Sequence, residues 1–118
     1  MFRIKRAYDP PAPVDGLRVL VDRLWPRGLS KEAARIDEWL KDIAPSAELR
    51  RWFGHDPARW AEFKARYREE LKTPERSAAL ERLREAGWRP GSVTLLFAAR
   101  DVTHNHAAAL LDQLNEPP

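Results

Sequence analysis

Charged and aromatic side chains follow two apolar runs of this sequence, at the places where each run ends. The run LRVLV, residues 17–21, leads into Asp22, Arg23, Trp25, Arg27 and Gly28. The run VTLLFAA, residues 93–99, leads into Arg100 and Asp101. Because guanidinium groups bind phosphate and carboxylate groups through paired hydrogen bonds, these clusters predict a site for an anion if the two runs meet in the fold.

A histidine stands at the predicted start of the last helix, in the stretch ARDVTHNHAAAL. Thr103 or Asn105 is a natural cap for this helix, which places His106 at its first turn. The free N–H groups and the dipole at a helix start favour an anion. A neutral imidazole can act as a base, and Asp22 would orient it. His106 and Asp22 are therefore the candidate catalytic residues, and Asn105 joins the candidate ligand-binding residues.

Each of these residues also has a purely structural alternative. Asp22 and Arg23 would tie two strand ends together by pairing with the RD dipeptide at residues 100–101. Trp25 and Pro26 would form an apolar cover over the core, and Asn105 would act only as a helix cap. His106 would pack in the fold with a single hydrogen bond.

The sequence predicts neither a metal site nor a cofactor. His104 and His106 are two positions apart, so a helix would not present them on one face. The five glycines lie too far apart for a phosphate-binding loop or a dinucleotide fingerprint, and no G-x-S-x-G elbow occurs. The absence of cysteine excludes disulfides, a thiol nucleophile and thiolate metal ligands.

The elements that must position these residues predict an α/β fold. FRIKRAY, LRVLVDRL and SVTLLFAAR have strand patterns, whereas residues 36–45 fit either a short strand, which we favour, or a helix. Helices are predicted to begin after Ser30, Ser46, Asp56 and Thr73, and the last one near Asn105. Strands near both ends with helices between them indicate one domain over residues 1–118, with a mainly parallel sheet of three to five strands flanked by helices in Rossmann-like layers. Ligands bind such sheets beyond the carboxyl ends of the strands.

Composition narrows the class of protein. The net charge is +3, and 16 arginines accompany 5 lysines, which is too mild and dispersed to indicate a dedicated nucleic-acid-binding protein. No apolar stretch approaches the roughly 20 residues of a membrane span, and the N-terminus has no signal-peptide pattern. We therefore expect a cytoplasmic protein without a membrane partner, and we leave its oligomeric state open.

Several stretches together resemble one known family. RVLVDRLWPRG, LLFAARDVTHNHAAAL, KRAYDP, IDEWLKDIAPS and LRRWFG are similar, in this order, to the YeaO-like family of small bacterial proteins, domain-of-unknown-function family 488. The resemblance covers nearly the whole chain and implies a compact α/β fold, but it carries over no activity. Related, larger members resemble this layout with a cysteine–histidine pair where this chain has Asn105 and His106. Because this chain has no cysteine, thiol chemistry cannot operate here.

These observations favour a domain that binds an anionic small molecule, such as a nucleotide or phosphoester, in an Arg/His/Asp pocket. Whether it turns that ligand over stays open. The alternatives are a nucleic-acid-associated module that stacks bases on Trp25 and Trp88, and a noncatalytic protein-interaction domain with an aromatic surface.

Overall fold

The computed structural model describes residues 1–116, and its centre is a four-stranded sheet in which all neighbouring strands are parallel. The strands are β1 (Phe2–Arg6), β2 (Leu17–Leu20), β3 (Glu38–Trp39) and β4 (Val93–Phe97), in the order β1-β4-β2-β3. The two apolar runs of the sequence are neighbours, with Val19 paired to Leu95. The predicted α/β fold with a parallel sheet is confirmed.

Five α-helices flank this sheet. They are α1 (Lys31–Ala34), α2 (Ala47–Phe53), α3 (Trp60–Glu70), α4 (Pro74–Gly87) and α5 (His106–Asn115). Ser30, Ser46 and Asn105 cap α1, α2 and α5 through side-chain oxygens, as expected for these residue types. Among residues 1–116 no helix is both long and apolar enough to cross a membrane.

The ambiguous segment at residues 36–45 contains both a strand and a helical turn. The two-residue strand β3 is hydrogen-bonded to the end of β2, and a 3-10 turn, Lys41–Ile43, follows it directly. The favoured strand is therefore present but short. Ile43 is fully buried, which anchors this connection to the core beneath the carboxyl ends of the strands.

The two faces of the sheet are covered differently. One face carries Val19, Leu95 and Phe97, which pack in the main core with apolar side chains of α2 to α5. On the other face, Leu20 and Leu96 form a smaller core with Trp25, Leu29 and Ile36. The segment between β2 and β3 thus supplies the second layer and passes over the carboxyl edge of the sheet.

A buried ion network joins the second layer to the sheet. Asp15 lies in a 3-10 turn, Pro13–Asp15, and its carboxylate contacts Lys5 Nζ at 3.0 Å and Arg18 Nη1 at 2.5 Å. Arg18 also donates to the carbonyl oxygens of Ala34 and Arg35 at the end of α1. One arginine therefore links β2, the proline-rich turn and α1.

Candidate functional site

A pocket of about 470 Å³ opens at the carboxyl ends of the strands. The segment after β2, the second half of α2, the loops on either side of α2 and the loop before α5 surround it. Its charged and titratable lining consists of Asp22, Arg23, Arg27, Arg50, His55, His104 and His106, together with Tyr8. All three histidines of the chain belong to this lining, beside three arginines and a single carboxylate.

Asp22 connects the ends of β2 and β4 and contacts His106. The backbone N–H of Ala98 donates to Asp22 Oδ2 at 3.0 Å, which ties the two strand ends together. His106 Nε2 lies 3.1 Å from Asp22 Oδ1 and 3.0 Å from the carbonyl oxygen of Val21. The angles suit a hydrogen bond to Val21 only, so Asp22 Oδ1 is buried without a hydrogen bond from residues 1–116. Nε2 faces two acceptors and must carry the ring proton.

The loop before α5 is organised around Asp101. Its carboxylate accepts hydrogen bonds from the backbone N–H groups of Thr103 at 2.9 Å and His104 at 3.0 Å, and it contacts His104 Nδ1 at 3.0 Å. The backbone N–H groups of Thr103 and His104, followed by their side chains, hold the pKa of Asp101 well below its usual range. Asp101 is therefore an anion that fixes both the loop and the His104 ring.

An aromatic wall closes one side of the pocket. Trp25 is partly buried, donates from Nε1 to the carbonyl oxygen of Leu29 at 2.6 Å, and packs edge-on against Trp39 at 5.5 Å between ring centroids. Tyr8, which follows β1, donates from its hydroxyl to the carbonyl oxygen of Arg27 at 2.8 Å. These contacts fix the segment that carries Arg23 and Arg27.

The structure brings most of the sequence-predicted site residues together. Six of them line the pocket: Asp22, Arg23, Trp25, Arg27, Asn105 and His106. Gly28, Arg100 and Asp101 are not in its lining. Gly28 occupies a turn with a φ of 76°, Arg100 is exposed, and the carboxylate of Asp101 is directed to its own loop.

The proposed ion pairs between the strand ends are not formed. Asp22 bonds to the backbone of Ala98, and the exposed Arg23 lies 3.9 Å from Asp42. The structural alternative for Asp22 is thus present in a different form, because a backbone N–H replaces the expected guanidinium. Asn105 acts as a cap, and its Oδ1 accepts from the backbone N–H of Ala108 at 2.9 Å.

Arg50, His55 and His104 belong to the pocket but were not predicted as site residues. Arg50 lies in α2 and His55 just after it, so their positions depend on the path of the chain from β3 into α2. No local sequence pattern shows that this path crosses the carboxyl edge. For His104 a signal exists, because Asp-x-Thr-His is typical of an aspartate that bonds to backbone N–H groups two and three residues ahead.

Trp25 and Trp88 do not share a surface. Trp25 follows β2 at the carboxyl edge, whereas Trp88 is 76% exposed and precedes β4 at the amino edge. Among residues 1–116 no group of three or more histidine, aspartate or glutamate side chains is arranged to hold a metal ion.

The chain is similar to bacterial proteins over nearly its whole length. The family model described as "Inactive DUF488-N3 subclade" matches residues 1–117. An uncharacterized protein of Mycobacterium tuberculosis is 49% identical over 113 residues, covering 96% of this chain and 92% of the relative. The uncharacterized protein YeaO of Escherichia coli is 44% identical over 113 residues, covering 96% of each chain. No solved structure matches significantly.

Proposed function

Because this chain belongs to the subclade described as inactive within domain-of-unknown-function family 488, we propose that it binds an anionic small molecule without converting it. The ligand is a nucleotide or another phosphoester, and it occupies the pocket at the carboxyl ends of the strands. The function is that of a binding protein, in which the candidate catalytic residues Asp22 and His106 hold the ligand and its surroundings in place.

The charge balance of the pocket carries this proposal. Three arginines and three histidines surround a cavity with one carboxylate, and that carboxylate already accepts a hydrogen bond from Ala98 and contacts His106. The arginines are exposed at the rim, where they attract anions from solution, and His104 and His106 are more buried, with the His106 side chain only 14% exposed. A positive potential concentrated in a cleft favours anionic ligands over neutral ones.

The apolar part of the lining indicates an organic body on the ligand. Trp25, Phe53 and Phe63 contribute aromatic surface, and Leu24, Pro26 and Pro45 contribute aliphatic surface. A cavity of about 470 Å³ lies in the range of small-molecule sites, which combine an apolar lining with a few polar groups. A phosphoester with a ring system would contact both the charged and the apolar lining, whereas a bare inorganic ion would contact only the charged lining.

Two observations support binding without turnover. The chain has no cysteine to act as a nucleophile. Asn105, which follows the loop centred on Asp101, is 3% exposed, and its side chain caps α5 and donates to the carbonyl oxygen of Asp101. Both ends of this amide are therefore engaged in the fold.

Isothermal titration calorimetry with matched ligands tests the proposal. Adenosine 5′-monophosphate and phenyl phosphate should bind at least about tenfold more tightly than adenosine and phenol, since only the phosphorylated compounds meet the positive lining. Replacing Arg23, Arg27 or Arg50 with Gln should each weaken binding by about three- to tenfold and reduce its dependence on salt.

Arg89→Gln is the matched control, because Arg89 is equally exposed but lies before β4 at the amino edge. It should bind like the wild type. The proposal is refuted if phosphorylated and unphosphorylated ligands bind equally, or if none of the four bind at millimolar concentration to protein that unfolds cooperatively.

A further inference from the structure

His104 and His106 share an arrangement that His55 lacks. In each of the two rings, one nitrogen contacts a carboxylate: Nδ1 of His104 lies 3.0 Å from Asp101, and Nε2 of His106 lies 3.1 Å from Asp22. Both side chains line the pocket and are partly buried. A carboxylate that contacts one nitrogen orients the ring and determines which nitrogen carries the proton.

The carboxylates determine the tautomers. Asp101 is ionised and can only accept, so Nδ1 of His104 carries the proton that it donates. His106 Nε2 faces the carbonyl oxygen of Val21 as well as Asp22, so Nε2 carries the proton in His106. A neutral ring has one donor and one acceptor. The acceptors are consequently Nε2 of His104 and Nδ1 of His106.

These two acceptor nitrogens are accessible. Neither has a hydrogen-bond partner within the described residues 1–116, and neither is among the buried atoms that lack one. A lone pair at an anion site repels a fully ionised oxygen. The repulsion becomes attraction only when a proton lies between nitrogen and oxygen, and that proton comes from the ligand or from solution.

We propose, resting on the anion-binding function above, that the pocket recognises a phosphate monoester and takes up protons when it binds this group. A phosphate monoester loses its second proton with a pKa of about 6, so a phosphate oxygen and an imidazole nitrogen compete for the same proton near neutral pH. Binding places that proton between them. A sulfate ester has no such proton, and a carboxylate loses its own at about pH 4.

The other charged groups around the two rings are compatible with this assignment. Tyr67 of α3 packs edge-on against His106, and burial raises the pKa of its hydroxyl, so it stays neutral. Trp60 of α3 packs edge-on against His104. The Nζ atom of Lys64 lies 5.5 Å from the centroid of the Trp60 ring. The remaining titratable or charged groups that line the pocket are Asp22, Arg23, Arg27, Arg50, His55 and Tyr8. The arginines bind the phosphate charge, and Asp22 and Asp101 hold the two rings in place.

Calorimetry in buffers with different ionisation enthalpies measures the proton uptake directly. Phenyl phosphate should bind at pH 7.5 with uptake of about one proton, and its affinity should fall by up to about tenfold per pH unit above this value. Phenyl sulfate and benzoate carry the same ring, and each should bind at least about tenfold more weakly at pH 6.5 and take up fewer protons at pH 7.5, because only the imidazole, and not the ligand, can gain one.

Variants locate the proton. His104→Gln and His106→Gln should each reduce the uptake and flatten the pH dependence, whereas Lys72→Gln, an exposed position outside the pocket, should change neither. If a variant fails to fold, long-range proton–nitrogen NMR of the wild type replaces it: phenyl phosphate should shift Nε2 of His104 or Nδ1 of His106 toward the protonated form.

Two results are distinguishable. If phenyl phosphate, phenyl sulfate and benzoate bind equally without proton uptake and without a change at the ring nitrogens, the phosphate assignment is wrong while the anion-binding function stands. If none of the three binds, the anion-binding function itself is lost, and the phosphate assignment is lost with it.

Discussion

Replacing Asp15 with Asn should be among the most damaging conservative changes in this protein. The Asp15 side chain is 4% exposed, and its carboxylate accepts from the backbone N–H of Ala12 at 2.9 Å and contacts both Arg18 and Lys5. Asparagine has nearly the same shape but no charge. The Arg18 side chain, which is 5% exposed, would keep its charge without a counterion.

The structure sets the expected magnitude. Breaking a buried ion pair by removing one partner costs about 3–5 kcal/mol, because the other charge stays buried. Arg18 keeps its hydrogen bonds to the carbonyl oxygens of Ala34 and Arg35, and Lys5 keeps one to Pro10, so the lower end applies. We expect Asp15→Asn to lower the free energy of unfolding by about 3 kcal/mol in urea at pH 7.

Asp112→Asn is the matched control. Asp112 lies 3.7 Å from Lys64, but its side chain is 61% exposed, and such pairs contribute about 0–1 kcal/mol. Adding Arg18→Met to Asp15→Asn removes the uncompensated charge, so the double variant should lose less than the sum of the two single losses. If Asp15→Asn costs no more than Asp112→Asn, the buried network does not stabilise the fold as argued.

The same variant has a pH signature. Burial raises the pKa of Asp15, but hydrogen bonds from Ala12, Lys5 and Arg18 outweigh this effect, and the pKa lies below its usual value. The stabilisation is therefore complete above the unfolded-state pKa of about 4 and is lost as the pH falls through the lower folded-state pKa. The difference between wild type and Asp15→Asn should stay constant down to about pH 5 and shrink below about pH 4. A difference that is unchanged at pH 2 would contradict this account.

Two further changes test the framework of the site. Gly16→Ala should lower the free energy of unfolding by more than about 2 kcal/mol, because φ is 63° and a Cβ would overlap the backbone carbonyl of Ser92. The control Gly91→Ala, at a φ of 101° with no neighbour within 4 Å, should cost about 1 kcal/mol in the same thermal unfolding experiment. Equal losses for the two variants would exclude the overlap as the cause. Asp22→Asn should cost about 1–2 kcal/mol in urea, because its oxygen can still accept from Ala98 while its amide N–H₂ meets the N–H of His106. A loss no larger than that of Asp112→Asn would mean that the Asp22 carboxylate does not stabilise the site.

The long elements were predictable because their signals are local. The apolar runs that became β2 and β4, and the caps Ser30, Ser46 and Asn105, depend on residues within one element. Strand β3 was ambiguous because two paired residues are too few to show a period, and the same segment turns into a 3-10 helix directly afterwards. Its identity is fixed by pairing with β2 and not by its own pattern.

The candidate site was predictable only where it follows the strands. Asp22 and Arg23 lie at the carboxyl edge because they follow the carboxyl end of β2 within three residues. Arg50 and His55 arrive through α2, whose placement depends on tertiary packing of Leu49 and Phe53 into the main core. Arg100 and Asp101 also follow a strand, but the Asp101 carboxylate bonds to Thr103 and His104 and turns the chain away.

The loop before α5 shows what the side chain at position 105 does in this fold. Asn105 stands where the resemblance places a cysteine in larger relatives, and here its amide closes the loop through Asp101 and caps the helix through Ala108. A side chain engaged at both ends cannot attack a substrate, but it holds His104 and His106, its sequence neighbours, at the pocket. The Asn105 side chain therefore fixes the positions from which the two imidazole rings line the pocket.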